Sequence, residues 1–503
     1  MSATASPTRP DRSASLETAW PWIAVGLLTA AGFALRFAGF REGLFGDELY
    51  LYEIVKQPDL GDVLSRVHDT ESTPPFHFVL AWAATKLGDP TVMARLPSLI
   101  LGTALIPLTY LLGARTVGWL AGLLGAAFVA LSPFAIWYAD EARAYATMTF
   151  LAVAAALALL RAVETRSRGW WAAYALCAVL ILYTHYMGVF AVAALAAWAF
   201  WTRRERLREL LWAHGAIVVL YLPWLPSFAV QSEDTSANRI SSFKDFTPKG
   251  VVRELTISVD GHAFLPLASV PGRVALVLLG LGAAAALAGT VLLWGRIRDG
   301  DAEARRRVAL VWLLALATPA GVAAYSILGK NTYIPRNLSA ALPFLCLALG
   351  AGIAALRRPL WLVAALLVLT GLGIGTVRTL DPDRGRPPYR AAADFVDDRA
   401  RGDAIVLEYP LFPAFAGTDE AIGRHLEVHF HDPHPLVQAR SPEDEAWNEV
   451  PGHDQLFVVT PWDAVHRDAG SPLPARFSSR FRLVDQGVWR GLVPVAVFEY
   501  ERR

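Results

Sequence analysis

The chain has 503 residues, of which 54% are hydrophobic and only 18% charged, against roughly a quarter charged in ordinary soluble proteins. Forty-six basic residues face 45 acidic ones, so there is no basic surplus of the kind that nucleic-acid binding needs. The composition argues against a soluble enzyme and for a polytopic membrane protein. Cys177 and Cys346 both sit in apolar runs, which speaks against a disulfide scaffold or a thiolate zinc site.

Residues 1–17 are polar and read as a disordered cytoplasmic tail. The run from Trp20 to Phe40 is apolar and lacks a small-residue cleavage site, so it reads as an uncleaved first span. Apolar runs follow near 94–113, 117–138, 145–163, 170–186, 187–202, 210–229, 272–295, 308–328, 337–356 and 359–378. Each is close to the ~20 residues that cross hydrocarbon as a helix. Trp20, Trp119, Trp137, Trp170, Trp201, Trp224 and Trp294 mark their ends as an interfacial belt.

Arginines crowd alternate short loops: Arg115; Arg161, Arg166 and Arg168; Arg203 to Arg208; Arg296 to Arg307; Arg357 and Arg358. The positive-inside rule puts these in the cytoplasm. The turns at Asp47, Glu141, His185 and Lys330 to Arg336, with the long segment 230–270 and everything after 379, then face outward. Counting Pro75 to Leu87 as a span would reverse every later loop, so that stretch reads as a short interfacial or re-entrant helix. The expected fold is an all-α polytopic bundle of about eleven spans over 18–379. Its N-terminus is cytoplasmic and its home is the plasma membrane. From 380 to 503 the sequence turns polar and Pro-rich. A helix at 389–400 and strands at Ala404 to Glu408, Leu456 to Thr460 and Val495 to Tyr500 predict a small external α/β domain.

Four polar clusters fall on the expected outer face. The first external loop, 41–74, holds Asp47-Glu48 just past the first span, then Glu71 and Thr73-Pro74-Pro75. Asp140-Glu141-Ala142-Arg143-Ala144-Tyr145 lies between two spans without polar padding, where ionisable groups are costly. A helix-end bridge between Glu141 and Arg143 is the plain alternative for that cluster. Tyr183-Thr184-His185-Tyr186 breaks a long apolar region. Lys330, Tyr333 and Arg336 share a short turn, for which headgroup anchoring is the plain alternative. Group transfer outside a cell membrane has no nucleotide sugar to draw on and uses groups carried on lipid phosphates. Such transfer needs a carboxylate to take the acceptor proton and cations to hold the leaving phosphate.

With Arg95-Leu96-Pro97-Ser98, Gly102, Ser132-Pro133-Phe134 and Tyr333-Ile334-Pro335-Arg336 followed by Pro343, these motifs resemble the GT-C glycosyltransferases over about 20–380. The nearest kind is glycosyltransferase family 39, with its protein O-mannosyltransferase and aminoarabinose transferase members. The resemblance implies that Asp47 is the catalytic base and Glu48 its partner. It implies that Arg143, Arg336 and Lys330 hold the donor phosphate. Glu71, Glu141, Tyr145, His185 and Tyr333 then line the pocket. Some relatives use a divalent metal, for which Glu71 and His185 are the candidate ligands here. The implied activity is inverting transfer of a sugar from a polyprenyl-phosphate donor to an extracytoplasmic glycan, lipid or protein. A transporter or flippase of lipid-linked substrates is the rival reading. The C-terminal part matches no motif of the family. Its His425, His429, His431 and His434 offer a zinc-site pattern, with a solvated loop as the plainer account.

Overall fold

The computed structural model describes residues 12–232, 246–298, 301–409, 424–462 and 472–503. In chain order the helices are α1 (Arg12–Phe37), α2 (Asp47–Val55), α3 (Leu60–Thr70), α4 (Phe76–Thr85), α5 (Pro90–Met93), α6 (Leu96–Thr116), α7 (Trp119–Leu131), α8 (Pro133–Ala139), α9 (Tyr145–Thr165), α10 (Arg168–Leu182), α11 (Val189–Thr202), α12 (Leu207–Tyr221), α13 (Leu225–Ser232), α14 (Pro248–Asp260), α15 (Arg273–Arg298), α16 (Ala302–Leu328), α17 (Leu342–Ala354), α18 (Leu360–Thr379) and α19 (Tyr389–Asp397). Many open on side-chain caps that the sequence supplies. Asp59 accepts from Asp62 N at 3.0 Å, Thr247 from Gly250 N at 3.1 Å and Asp301 from Glu303 N at 2.8 Å.

Among the described residues, eight helices are long and apolar enough to cross a membrane, or nine if α7 and α8 form one bent span. That is fewer than the eleven expected. The two shortfalls are 168–182 and 186–202, where the Thr184-His185 break leaves each piece under 18 residues. Phe76–Thr85 is a short helix, as the parity of the loops requires. Outward faces are apolar, with Leu27, Val218 and Leu366 exposed, so the chain is a multi-pass membrane protein. The first helix begins at Arg12, inside the expected disordered tail; residues 1–11 lie outside the described set. The segment expected as a long loop, 230–270, carries α14; its residues 233–245 also lie outside the described set.

The 62° bend between α7 and α8 follows from Ser132-Pro133. Pro133 has no N–H for the Val129 carbonyl one turn earlier. Arg36 of α1 fills the gap, donating Nη2 to Val129 O at 2.9 Å and Nη1 to Ala130 O at 3.2 Å. Ser132 then caps α8 by accepting from Ala135 N at 3.1 Å.

The arginine-rich turns meet at one end of the bundle. Arg307 reaches Glu164 at 3.2 Å and the carbonyl of Arg115 at 3.2 Å, and Arg203 reaches Glu303 at 2.6 Å. Helix α9 runs from this end at Thr165 to Tyr145 beside the polar clusters, a rise of about 30 Å. Two of the tryptophans expected in the belt are instead buried. Trp137 lies under a guanidinium, and Trp224 donates to Tyr186 Oη at 3.2 Å.

The C-terminal domain is a five-stranded sheet of order β2-β1-β3-β5-β4, with β1 (Ile405–Glu408), β2 (Leu436–Gln438), β3 (Gln455–Pro461), β4 (Phe481–Trp489) and β5 (Val495–Arg502). Strand β1 pairs parallel with β2 and β3; β5 pairs antiparallel with β3 and β4. Alternate residues serve two cores. Val406, Phe457 and Val497 pack against Tyr389 and Val396 of α19, while Leu407, Val458 and Phe498 pack with Trp447 on the opposite face.

Candidate functional site

Gly46 has φ of +57° with open space around it, a conformation that side chains resist, and it turns the chain into α2. Asp47 and Glu48 are the first two helical residues. Neighbours on a helix stand about 100° apart, so the two carboxylates face different surroundings.

Glu48 points inward and is completely buried. Arg95 grips it through a two-pronged bond, Nε to Oε1 and Nη2 to Oε2, both at 2.7 Å. Ala142 N donates to it at 2.8 Å, Phe45 N at 3.2 Å and Arg386 Nε at 3.0 Å. Burial pushes this carboxyl up, but Arg386 and Arg95 outweigh it and hold it at about 2. With its oxygens spent on Arg95, Arg386 and two backbone amides, Glu48 has no free lone pair to offer an acceptor. Shaping the site is the part of its expected role that this position allows.

Asp47 points the other way and forms an ion pair with Arg336, each side chain about a third exposed. Arg143 Nη1 lies 3.4 Å from the Asp47 carbonyl and 3.4 Å from Glu71 Oε1. The expected Glu141–Arg143 bridge is therefore replaced by Arg143–Glu71. Glu71 also accepts from Thr73 Oγ1 at 3.3 Å, and burial raises its carboxyl against the pull of Arg143. Glu141 is buried, its Oε2 without a hydrogen-bond partner among the described residues, and burial, then Glu48, pushes it up to about 8. The His185 ring sits 5.5 Å from that of Tyr145; burial, then Arg143 and Arg336, pushes it down to about 3, so it is neutral.

The structure thus gathers Asp47, Glu71, Glu141, Arg143, Tyr145, His185 and Arg336. Two expected members enter none of these contacts among the described residues. Tyr333 packs in an apolar cluster with Val322, Leu338 and Phe246. Lys330, in the turn after α16, forms no ion pair among the described residues.

Neither metal reading finds a ligand set. Glu71 is engaged by Arg143 and Thr73, and His185 Nδ1 accepts from Met187 N at 3.2 Å. Among the described residues no three His, Cys, Asp or Glu side chains gather for an ion. The four C-terminal histidines disperse. His425 stacks on Tyr389, and His429 Nε2 accepts from Leu44 N at 3.0 Å. His431 and His434 both bind Asp397, at 3.0 and 2.7 Å. His429 ends a 3-10 turn, so His425 and His429, four residues apart, do not share an α-helical face.

Sequence reasoning missed the arginine–acid lattice behind Asp47: Arg95, Arg386, Asp140 and Glu42. Arg95 gave a signal, because a lone arginine beside an apolar run must find a partner. Arg386 gave none, lying in a stretch that reads as a linker.

A groove of about 500 Å³ opens beside this site between α4, α6 and α9. Leu80, Leu87, Ile100 and Phe150 line it with almost no polar surface. Thr147, four residues on from Arg143, also lines it and bonds to His77 at 2.9 Å.

Comparison with known proteins agrees with this architecture. Residues 72–227 match the family model described as dolichyl-phosphate-mannose-protein mannosyltransferase. No curated protein matches the chain. Among solved structures, ArnT from Cupriavidus metallidurans in the apo state aligns with a TM-score of 0.55 at 14% identity, covering 96% of this chain and 98% of that one. The same enzyme bound to undecaprenyl phosphate gives 0.53 at 15%, with the same coverage. The archaeal oligosaccharyltransferase AglB from Archaeoglobus fulgidus, in complex with an inhibitory peptide and a dolichol-phosphate, gives 0.52 at 12%, covering 88% of this chain and 70% of that one. The chain is a multi-pass membrane protein with the ArnT-like fold of the GT-C glycosyltransferases, and it resembles their family 39.

Proposed function

We propose that this protein transfers a sugar from a polyprenyl-phosphate donor to an extracytoplasmic acceptor, with inversion at the anomeric carbon and Asp47 as base. The observation that carries the reading is Asp47, its carboxylate paired with Arg336 and its backbone carbonyl 3.4 Å from Arg143, beside an apolar groove. The groove suits an isoprenoid tail, and the arginines suit the phosphate to which it is joined. The family match and the undecaprenyl phosphate bound by a protein of the same fold support it.

In this mechanism the donor phosphate competes with Asp47 for Arg336, which frees the carboxylate. Asp47 takes the proton of an acceptor hydroxyl. The acceptor oxygen bonds to the anomeric carbon as the carbon–oxygen bond to phosphate breaks. The electron pair of that bond leaves with the phosphate, whose charge Arg336 and Arg143 meet. A single displacement of this kind inverts the centre. Arginine-rich turns at the opposite end of the bundle support a cytoplasmic face there, and an external site and C-terminal domain.

The test is Asp47→Asn in proteoliposomes with a lipid-phosphate sugar. Loss of transfer from a folded variant is the expected result. Full activity overturns the assignment, as does substrate flux without glycosyl product.

A further inference from the structure

Arg386 belongs to the segment between the last span and the first helix of the C-terminal domain. Its side chain is nevertheless 1% exposed, inside the membrane domain's acid cluster. Nε donates to Glu48 Oε2 at 3.0 Å, and Nη2 lies 2.9 Å from Asp140 Oδ1 and 3.1 Å from the Asp140 carbonyl. Nη1 lies 3.4 Å from Glu42, and the guanidinium sits 4.4 Å over the Trp137 ring.

The peptide unit that leads into Arg386 is pinned as well, at both its N–H and its carbonyl. Arg386 N donates to Glu42 Oε2 at 3.1 Å, and Leu492 N donates to the Gly385 carbonyl at 2.7 Å. The space is built around these groups. A Cβ on Gly39 would stand 2.1 Å from Asp140 Oδ2, and one on Gly385 would stand 2.6 Å from Glu42 Oε1.

A buried ion cluster is a poor device for stability, because desolvation offsets its attraction. It is a good device for fixing geometry. Glu48 is adjacent to Asp47 in the first turn of α2, so whatever fixes Glu48 fixes the direction of Asp47. Arg95 holds Glu48 from the membrane domain, and Arg386 holds it from the C-terminal side. We infer that Arg386 is a positioning residue, through which the C-terminal domain orients Asp47 for transfer. The inference rests on the reading of Asp47 as base.

The experiment compares wild type, Arg386→Lys, Arg386→Ala and Asp47→Asn as full chains in proteoliposomes. The donor is the polyprenyl-phosphate sugar fraction extracted from the host membrane, and rates are normalised to folded protein. Misplacement of a reacting group by about 1 Å costs on the order of 100-fold in rate. Arg386→Ala is expected to lose kcat on that scale with KM for the donor little changed. Arg386→Lys, which keeps the charge but reaches fewer partners, is expected to recover part of it. An inactive Asp47→Asn beside an Arg386→Ala with wild-type kcat overturns this inference alone. A raised KM at constant kcat, or no recovery in a folded Arg386→Lys, overturns it too. Wild type and Asp47→Asn behaving alike overturns the reading of Asp47, and this inference with it.

Discussion

Asp47 and Arg336 are 289 residues apart in the chain and meet as an ion pair at the mouth of the bundle. Each is about a third exposed, so the pair is screened by solvent and can exchange partners. Arg336→Ala should therefore leave the fold intact and weaken donor use. Loss of one stabilising donor typically costs about 100-fold or more. Initial rates against donor concentration should show that fall in kcat/KM, with Arg336→Lys between the two. An unchanged kcat/KM would remove Arg336 from the phosphate site.

Glu48→Ala is a different kind of change, because it leaves Arg95 and Arg386 buried without their shared carboxylate. Breaking one side of a buried pair costs roughly 3–5 kcal/mol. Thermal unfolding in detergent should show that loss, with a smaller one in Glu48→Gln. The acid side gives an independent check. The folded carboxyl is held at about 2, below its ordinary 4.5, by Arg386 and Arg95 acting against burial. Its contribution is present above 4.5 and is lost as pH falls through 2. Glu48→Gln should lack this acid-induced component.

Glu141 carries the opposite sign. Burial, then Glu48, raises it to about 8 from an ordinary 4.5. Its contribution to stability is present below 4.5 and is lost as pH rises through 8. Glu141→Gln mimics the protonated form and should unfold at a higher temperature than wild type above pH 8. Melting curves across pH, followed by tryptophan fluorescence, check this. Curves that stay parallel would show that Glu141 is not kept neutral.

Gly46→Ala meets no atom within 4 Å, so its effect is backbone alone. With φ at +57° and ψ at −122°, a side chain there costs about 1–3 kcal/mol. The turn that aims Asp47 should relax, and transfer should fall more than the melting temperature predicts. Gly26→Ala, in equally open space on α1, is the control for an added methyl.

What the sequence made legible was whatever depends on neighbours along the chain. The apolar runs announced the helices, and short apolar stretches announced β1, β3 and β5, each buried on both faces. Strand β2 has three residues and β4 is an exposed edge, so neither carries an apolar pattern. Asp47 was legible from its place after the first span. Arg386 was not, because its partner Glu48 lies 338 residues away and its own surroundings are Pro-rich and polar. The Glu141–Arg143 bridge failed for a related reason. Sequence proximity favours it, but Arg143 turns to Glu71, 72 residues away.

The lattice around Arg386 also imposes an order on biosynthesis. Among the described residues all of the spanning helices precede Arg386 in the chain, and so do Asp47, Arg143 and Arg336. A nascent chain therefore holds Asp47 and both arginines before the Arg386 clamp on Glu48 exists. Gly491 and Leu492, which close over Arg386 and Gly385, lie about a hundred residues further along the chain than Arg386. Chains stalled or cut short after the last span would be inserted yet unfinished at the site. Completion of the C-terminal domain is then what finishes the geometry around Glu48.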